Sequence, residues 1–197
     1  MAKNTAQRRE DLRERLIDIA EVEIRENEVS SLRARALAEA AGCAVGAIYN
    51  VVDDMTGLTL EVNGRTFERL GAHVRGTIAE KPDADPREIL VTIAKAYLTF
   101  AIDNPNLWRA LFEVDMSSEG EVPEWYLAEL ASLFSIISVP LAKLNPDADE
   151  KEIDLMTRTL FSSVHGIVWL GLERRLSGVP RERMEAMIEY LLMNVTK

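Results

Sequence analysis

The segment AGCAVGAIYNVV, residues 41–52, combines very small residues with two side chains that could contact a nucleic acid. The hydroxyl of Tyr49 can hydrogen-bond a phosphate oxygen, and the amide of Asn50 can pair with an adenine edge. Gly46 stands three residues before Tyr49, on roughly the same face of a helix, and lets the backbone approach another surface closely. These residue types at this spacing suit a thin helix that lies against DNA.

Two short helices joined by a turn must position these side chains. The first is predicted over 34–41, and Gly42 ends it by adopting a left-handed backbone conformation. The second is predicted from residue 44 or 45 to about residue 52, with Ile48 and Val52 turned toward the core. A helix-turn-helix module of this kind places its second helix in the major groove. From the pattern alone, a short helical corner within an α-helical bundle is the alternative.

The ordered string over residues 35–52, RALAEAAGCAVGAIYNVV, resembles the DNA-binding segment of the tetracycline-repressor-like (TetR) regulators. That segment reads roughly R-x-[IL]-A-x-x-A-G-V-S-x-G-x-[IL]-Y-x-x-F, and the resemblance covers about residues 9–70. A weaker likeness joins SSVHGIVWLGLERRL, residues 162–176, to the histidine–glycine (WHG-like) helix of one C-terminal domain in that family. The resemblance implies a ligand-responsive transcriptional regulator, a repressor, that binds palindromic operator DNA as a homodimer.

The resemblance also marks the side chains that would meet DNA. It places Val45, Ala47 and Asn50 nearest the groove floor, where the first two suit thymine methyl groups and the amide suits adenine. Basic side chains of the N-terminal arm would contact phosphates. The predicted DNA contacts are Arg33, Arg35, Ala44, Val45, Gly46, Ala47, Tyr49, Asn50, Lys3, Arg8 and Arg9.

Departures from the family pattern, together with the negative net charge, motivate a rival hypothesis. Arg33 and Ala44 stand where the family usually has hydroxyl residues that cap the two helices. Met55 occupies the position of a common phosphate-binding lysine, and Val52 replaces an aromatic residue. Weaker phosphate binding is therefore expected, unless the N-terminal arm compensates. The rival is a helical dimer that senses a ligand or binds a protein partner, with weak or no DNA binding.

Helical periodicity continues through the rest of the chain and predicts an all-α fold. The further helices are predicted at about 6–27, 55–79, 86–103, 105–114, 123–143, 149–176 and 181–195. The predicted order is a helix-turn-helix domain, a connecting helix, and a C-terminal domain for effector binding and dimerisation. Their bounds are 1–53 (with the helix-turn-helix at about 33–52), 54–80 and 81–197.

The C-terminal region is rich in aromatic residues, each of which could equally be a core side chain. Together they suit the wall of a site for a small apolar effector, and the resemblance implies such a site between about residues 86 and 170. His165 is either a ligand contact or a hydrogen-bonded structural residue, and Gly166 would allow close helix packing. The predicted pocket residues are Tyr97, Phe100, Trp108, Phe112, Trp125, Tyr126, His165 and Trp169.

Two apolar stripes follow in the helices predicted at 149–176 and 181–195. The resemblance implies that this antiparallel pair forms the dimer interface, which we favour over a methionine-lined cofactor site. The predicted interface residues are Leu160, Val164, Ile167, Met184, Met187, Ile188 and Leu191.

Composition narrows the remaining function classes. A net charge of −10 in 197 residues restricts any DNA contact to a local surface. The single cysteine, Cys43, fits a reducing compartment and is expected as a small core residue, with a redox role as the alternative. The longest uncharged apolar run, 130–142, is too short to span a bilayer, which favours the cytoplasm. No catalytic, metal-binding or cofactor motif is found, so neither enzyme activity nor a cofactor is predicted.

Overall fold

The computed structural model describes residues 4–114, 122–173 and 179–195 and shows helices and no strand within them. The all-α prediction is confirmed. Short 3₁₀ turns at Val29–Ser31 and Arg181–Arg183 accompany the α-helices. The α-helices are α1 (Thr5–Asn27), α2 (Ala34–Ala41), α3 (Val45–Ile48), α4 (Met55–Ala79), α5 (Pro86–Asp103), α6 (Pro105–Glu113), α7 (Glu124–Leu144), α8 (Glu150–Leu172) and α9 (Met184–Val195).

Local side-chain chemistry sets several helix starts. The side chain of Asn4 accepts a hydrogen bond from the Gln7 N–H at 2.8 Å and caps α1. Asp54 accepts one from the Gly57 N–H at 2.6 Å, just ahead of α4. Before α8, Asp149 and Glu152 form a reciprocal capping box. These bonds satisfy backbone donors that have no partner inside the helix.

One helix of the helix-turn-helix module is shorter than the sequence predicts. The second helix was expected to reach residue 52, but α3 ends at Ile48 and residues 49–51 form a turn. Gly46 and the β-branched residues around it are poor helix formers, so a single helical turn is all that forms here. α8 was expected to reach residue 176 but ends at Leu172, and Glu173 is its C-cap, while residues 174–176 lie outside the described residues.

The chain forms two compact units. Unit 1 comprises Met1–Phe67 and Asn104–Tyr126, and unit 2 comprises Glu68–Asp103 and Leu127–Lys197, as far as these ranges are described. α6, which lies inside the predicted C-terminal domain, packs in unit 1 against α1. The predicted functional boundaries at residues 53 and 80 remain predictions.

The core of unit 1 is built mainly on α1. Leu16 and Ile24 are fully buried there, and Leu107 and Ala110 of α6 join the same apolar cluster. The side-chain amide of Asn106 donates to the Arg25 carbonyl at 3.0 Å and ties α6 to the end of α1. α6 therefore belongs with the helix-turn-helix in packing, although about 50 residues of chain separate the two.

In unit 2, α5 packs against α8 and α9, and α9 packs along α8. A Cβ atom added at Gly171 would lie 2.1 Å from the sulfur of Met184, so α8 and α9 approach closely at that glycine. A Cβ at Gly166 would meet nothing within 4 Å. Within the single chain no helix therefore packs closely on Gly166, whereas Gly171, five residues later, faces α9.

Among the described helices, α7 is long and apolar enough to cross a membrane, judged by length and composition alone. Its most apolar window has a mean hydropathy of 1.6, and only 11% of that window is buried. The helix extends past the uncharged run at both ends, which is why it exceeds the length estimated from that run. One such helix is weak evidence for a membrane protein.

Candidate nucleic-acid interface and effector-binding residues

The turn between α2 and α3 has a well-defined hydrogen-bond pattern. Gly42 adopts φ +67°, as predicted for the residue that ends α2. Its N–H donates to the Glu39 carbonyl at 3.1 Å, and the Cys43 N–H donates to the Ala38 carbonyl at 2.9 Å. These two bonds form a Schellman motif, which requires the left-handed residue that glycine supplies. The half-buried Cys43 packs against the core of unit 1, consistent with a small core residue.

The inner side of α3 is anchored in the core of unit 1. Ile48 is 0% exposed and Val52 is 8% exposed, and both pack with Leu37 of α2. The orientation predicted for Ile48 and Val52 is therefore confirmed. Burying two branched side chains stabilises the segment by about 3 to 6 kcal/mol, which a four-residue helix could not gain from its own hydrogen bonds.

The outer side of α3 is open within the chain. Val45 is 39% exposed and Tyr49 is 50% exposed. Gly46 and Asn50 are also exposed, and a Cβ added at Gly46 would meet no atom within 4 Å. Ala44 is exposed and Ala47 is half-buried. The side chains predicted to meet bases and phosphates thus form one accessible face.

The arginines predicted to contact phosphates differ in their surroundings. Arg8 and Arg35 are exposed side chains. Arg33 donates to the carbonyls of Ser30 and Leu32 at 2.7 and 2.8 Å. Arg9 donates to the backbone carbonyl of Asn50. Lys3 lies outside the described residues.

The N-caps of α2 and α3 are weak, as the sequence predicts. Arg33 and Ala44 occupy the N-cap positions of α2 and α3, and neither side chain makes a capping hydrogen bond. Alanine has no acceptor, and the guanidinium group of arginine has none either. The first N–H groups of both helices are left for another acceptor, and a phosphate oxygen is one that fits.

Sequence reasoning missed an ion-pair network between α1 and α4. Arg65 donates to Asp18 and to Glu14, at 2.6 Å in each case, and lies 3.7 Å from the buried Glu21. Burial lowers the pKa of Arg65, but the hydrogen bond from Arg65 to Asp18 and the nearby carboxylates outweigh it and hold the pKa above its ordinary value. The acidic residues recur at positions 14, 18 and 21, and that helical spacing was the available signal.

The eight predicted pocket residues are divided between the two units, with four in each. In unit 1, Trp108 and Tyr126 are buried, with 0% and 1% exposed, whereas Phe112 and Trp125 are 40% and 41% exposed. The rings of Trp108 and Phe112 are 5.6 Å apart, and those of Trp125 and Tyr126 are also 5.6 Å apart. The sequence could not assign them to a unit, since α6 leaves its chain neighbours to pack against α1.

A buried amide that sequence analysis missed lies beside these rings. Asn63 is 0% exposed, and its amide nitrogen donates to the Ala110 carbonyl at 2.9 Å. Its amide oxygen is buried without a hydrogen-bond partner. Burial raises the pKa of the neighbouring Tyr126 phenol, and the hydrogen bond with Asn63 opposes that rise. A buried amide beside aromatic rings supplies the polar group that an otherwise apolar site lacks.

In unit 2, His165 is held between aromatic rings. Its Nδ1 lies 2.7 Å from the hydroxyl of Tyr97. Its ring stacks on Phe161 at 5.5 Å between centroids, and Trp169 lies 5.7 Å away. Burial lowers the pKa of His165, since the charged imidazolium is poorly solvated there. This environment matches the alternative in which His165 is a hydrogen-bonded structural residue. Phe161 joins the aromatic residues predicted for this region. Phe100 packs on His73 instead, with centroids 6.2 Å apart.

The predicted dimer-interface residues divide by exposure. Four are covered inside unit 2 and offer almost no surface to a partner, because they pack α8 and α9 against α5 and each other: Leu160, Val164, Met184 and Ile188. Ile167 and Leu191 are half-buried, and Met187 is 37% exposed. The other apolar side chains that α8 and α9 expose, outside the predicted interface set, are Leu155, Met156, Leu170, Tyr190, Met193 and Val195. Apolar residues that recur every 3.6 positions identify the apolar side of a helix, but the pattern does not show which part of that side is covered by neighbouring helices.

In the part of the chain that the structure describes, no group of three or more His, Cys, Asp or Glu side chains could hold a metal ion.

Comparison with known proteins places these features in a family. The model described as "Tetracyclin repressor-like, C-terminal domain" matches residues 90–195. No curated protein matches the sequence at a significant level.

Three solved structures share the fold. A protein of unknown function from Rhodococcus sp. RHA1 superposes with a TM-score of 0.73 at 20% identity, covering 93% of this chain and 94% of that one. FadR from Bacillus subtilis, solved in complex with stearoyl-CoA, gives 0.67 at 17% identity, with 90% and 96% covered. The TetR family transcriptional regulator PfmR from Thermus thermophilus gives 0.60 at 17% identity, with 91% and 97% covered. At these identities the similarity is one of fold.

Proposed function

Because the chain belongs to the tetracyclin repressor-like family, we propose that it is a ligand-responsive transcriptional regulator that represses its target genes. In this proposal it works in the cytoplasm as a homodimer and binds palindromic operator DNA through two helix-turn-helix heads. Two heads on one face of a duplex must lie about 34 to 36 Å apart to enter successive major grooves. A ligand that favours another spacing would release the DNA.

The observation that carries the proposal is that α3 and the turn after it have a buried side and an open side. Ile48 and Val52 are covered by unit 1, while Val45, Tyr49 and Asn50 are exposed. A short helical corner that served only as core would have no reason to present a phenol, an amide and a bare glycine on one accessible face. Small outward residues suit the close approach of backbone to a base pair.

The test is a gel shift with DNA that flanks the gene, with salt titrated. We expect binding that weakens steeply with salt, since released counterions follow the number of neutralised phosphates. A footprint on the same DNA is expected to show two symmetric half-sites. Absence of any shift at low salt would contradict the proposal.

The effector is proposed to be small and largely apolar. Aromatic side chains with few polar groups are how such sites are built, and the rings around Asn63 in unit 1 combine both features. FadR from B. subtilis, which shares this fold, holds stearoyl-CoA, so an acyl-CoA is a rational first probe. To act as an effector, the ligand must bind the DNA-free state more tightly, typically by about 1 to 3 kcal/mol.

A second candidate function has specific observations in its favour. Met55 replaces a phosphate-binding lysine, and Arg9 and Arg33 donate to backbone carbonyls within the chain. A dimeric ligand sensor with little DNA affinity would show this combination. The same gel shift separates the two, because the sensor would bind a probe ligand without shifting any duplex.

A further inference from the structure

Two arginines of α1 contact the carbonyl ends of the two helix-turn-helix helices. Arg15 donates to the backbone carbonyl of Ala41, the last residue of α2, at 3.0 Å. Arg9 donates to the backbone carbonyl of Asn50, two residues past the end of α3. The last carbonyls of a helix lack partners within it and carry partial negative charge, so a guanidinium group fits both positions.

The second contact matters more, because α3 is only four residues long. A single helical turn has too few internal hydrogen bonds to hold its own shape. Beyond Ile48 the backbone tightens, since Asn50 donates to Ala47 and both Val51 and Val52 donate to the Ile48 carbonyl, at 3.0 to 3.3 Å. Ile48 and Val52 anchor this segment from below. Asn50 itself is exposed, so burial does not fix its position.

We propose that Arg9 is a positioning residue that fixes the direction of Asn50, rather than a phosphate ligand. By holding the Asn50 carbonyl, Arg9 restricts the backbone that carries the amide proposed to read a base. The inference rests on the proposed function, since reading a base requires DNA binding. It reverses the role that the sequence suggested for Arg9, which was that of a phosphate contact in the N-terminal arm.

The two roles differ in salt dependence. Each phosphate contact contributes about −0.9 to the slope of log K against log salt concentration. A phosphate-binding Arg9 would therefore reduce the slope by about one when replaced by glutamine. A positioning Arg9 would weaken binding and leave the slope unchanged.

The experiment compares wild-type protein with Arg9→Gln, using a duplex selected from a random library on the wild-type protein. Dissociation constants are measured from low to moderate salt. Hydrogen exchange of the Val51 and Val52 amides is followed by NMR without DNA. Arg8→Gln, one residue earlier on the same helix, serves as the matched control for loss of charge in the exchange measurement.

We expect Arg9→Gln to weaken binding of the duplex by roughly three- to tenfold with an unchanged salt slope. Exchange at Val51 and Val52 should accelerate by a similar factor, because the turn opens more often. Amides of α2 should exchange as in the wild type, which distinguishes a local role from general loss of stability. Arg8→Gln should leave the exchange at both amides unchanged.

A slope reduced by about one, or exchange at Val51 and Val52 that stays at the wild-type rate, overturns the proposal. If the wild-type protein selects no duplex, the proposed DNA function fails. The exchange measurement then still decides whether Arg9 positions the turn.

Discussion

The two units present different kinds of surface to a partner. Unit 1 exposes a face of small and polar groups at α3, with Gly46, Tyr49 and Asn50 open to solvent. Unit 2 exposes apolar side chains on α9, where Tyr190 is 74% exposed and Met193 is 48% exposed. A hydrated, charged partner such as DNA suits the first surface, and a second copy of an apolar helix pair suits the other.

The two units also differ in one contact between their helices. Unit 1 ties α1 to α4 with charged groups, including Arg65 and the buried Glu21. Unit 2 brings α8 and α9 together through direct contact at Gly171 and Met184.

The largest effect is expected from the buried side of α3. Ile48→Ala should destabilise unit 1 by about 2 to 5 kcal/mol, because it leaves a cavity under a one-turn helix. The matched control, Val45→Ala, removes a side chain that is 39% exposed and should change stability by less than about 0.5 kcal/mol. Urea unfolding measures both. Equal losses of stability would show that α3 does not have one buried and one open side.

A second prediction concerns the close contact in unit 2. Gly171→Ala should destabilise the protein by about 1 to 3 kcal/mol, since the added methyl group overlaps the Met184 side chain. Gly166→Ala, on the same helix, meets open space and should stabilise it by up to about 1 kcal/mol through helix propensity. Thermal unfolding of the pair compares them. A destabilising Gly166→Ala would mean that α8 is covered on that side.

A third prediction concerns the exposed apolar face of α9, whose role in dimerisation can be tested by introducing a charged residue there. Met193→Asp should raise the dimer dissociation constant by about tenfold or more, because a carboxylate would be desolvated in the interface. Val139→Asp on α7 also replaces an exposed aliphatic side chain, 55% accessible, and should leave dimerisation unchanged. Sedimentation equilibrium gives both constants. A wild-type protein that is monomeric at micromolar concentration would remove the basis of the prediction.

The smallest effect is expected from His165. Burial lowers its pKa in the folded protein, so the unfolded chain binds the proton more readily. Stability should therefore fall as pH drops below about 6.5, the ordinary pKa of histidine, and the loss should continue through the folded pKa. His165→Gln should flatten this dependence, because it removes the group whose pKa is lowered on folding. Chemical denaturation at pH values from about 5 to 8 measures it, and an unchanged slope for His165→Gln would contradict the assignment.

Much of the fold was predictable because its determinants are local. Gly42 ends α2 in a left-handed conformation, and α4 and α5 begin at Met55 and Pro86, each as predicted. The length of α3 was not predicted, because a weak helical segment is decided by what anchors it. The outward residues of the helix-turn-helix were predicted correctly as exposed, since Ile48 and Val52 set the phase of the segment.

By itself, the sequence determined the all-α class, most helix ends and the turn that identifies the helix-turn-helix, because periodicity, caps and glycine act within a few residues of chain. Tertiary structure alone decided that α6 packs on α1, that the aromatic residues divide between two units, and that Arg9 meets the Asn50 carbonyl. The physical reason is that the sequence gives the chemical type of an apolar or charged side chain but does not specify which residue it contacts. Which surface covers it depends on packing between segments that lie tens of residues apart.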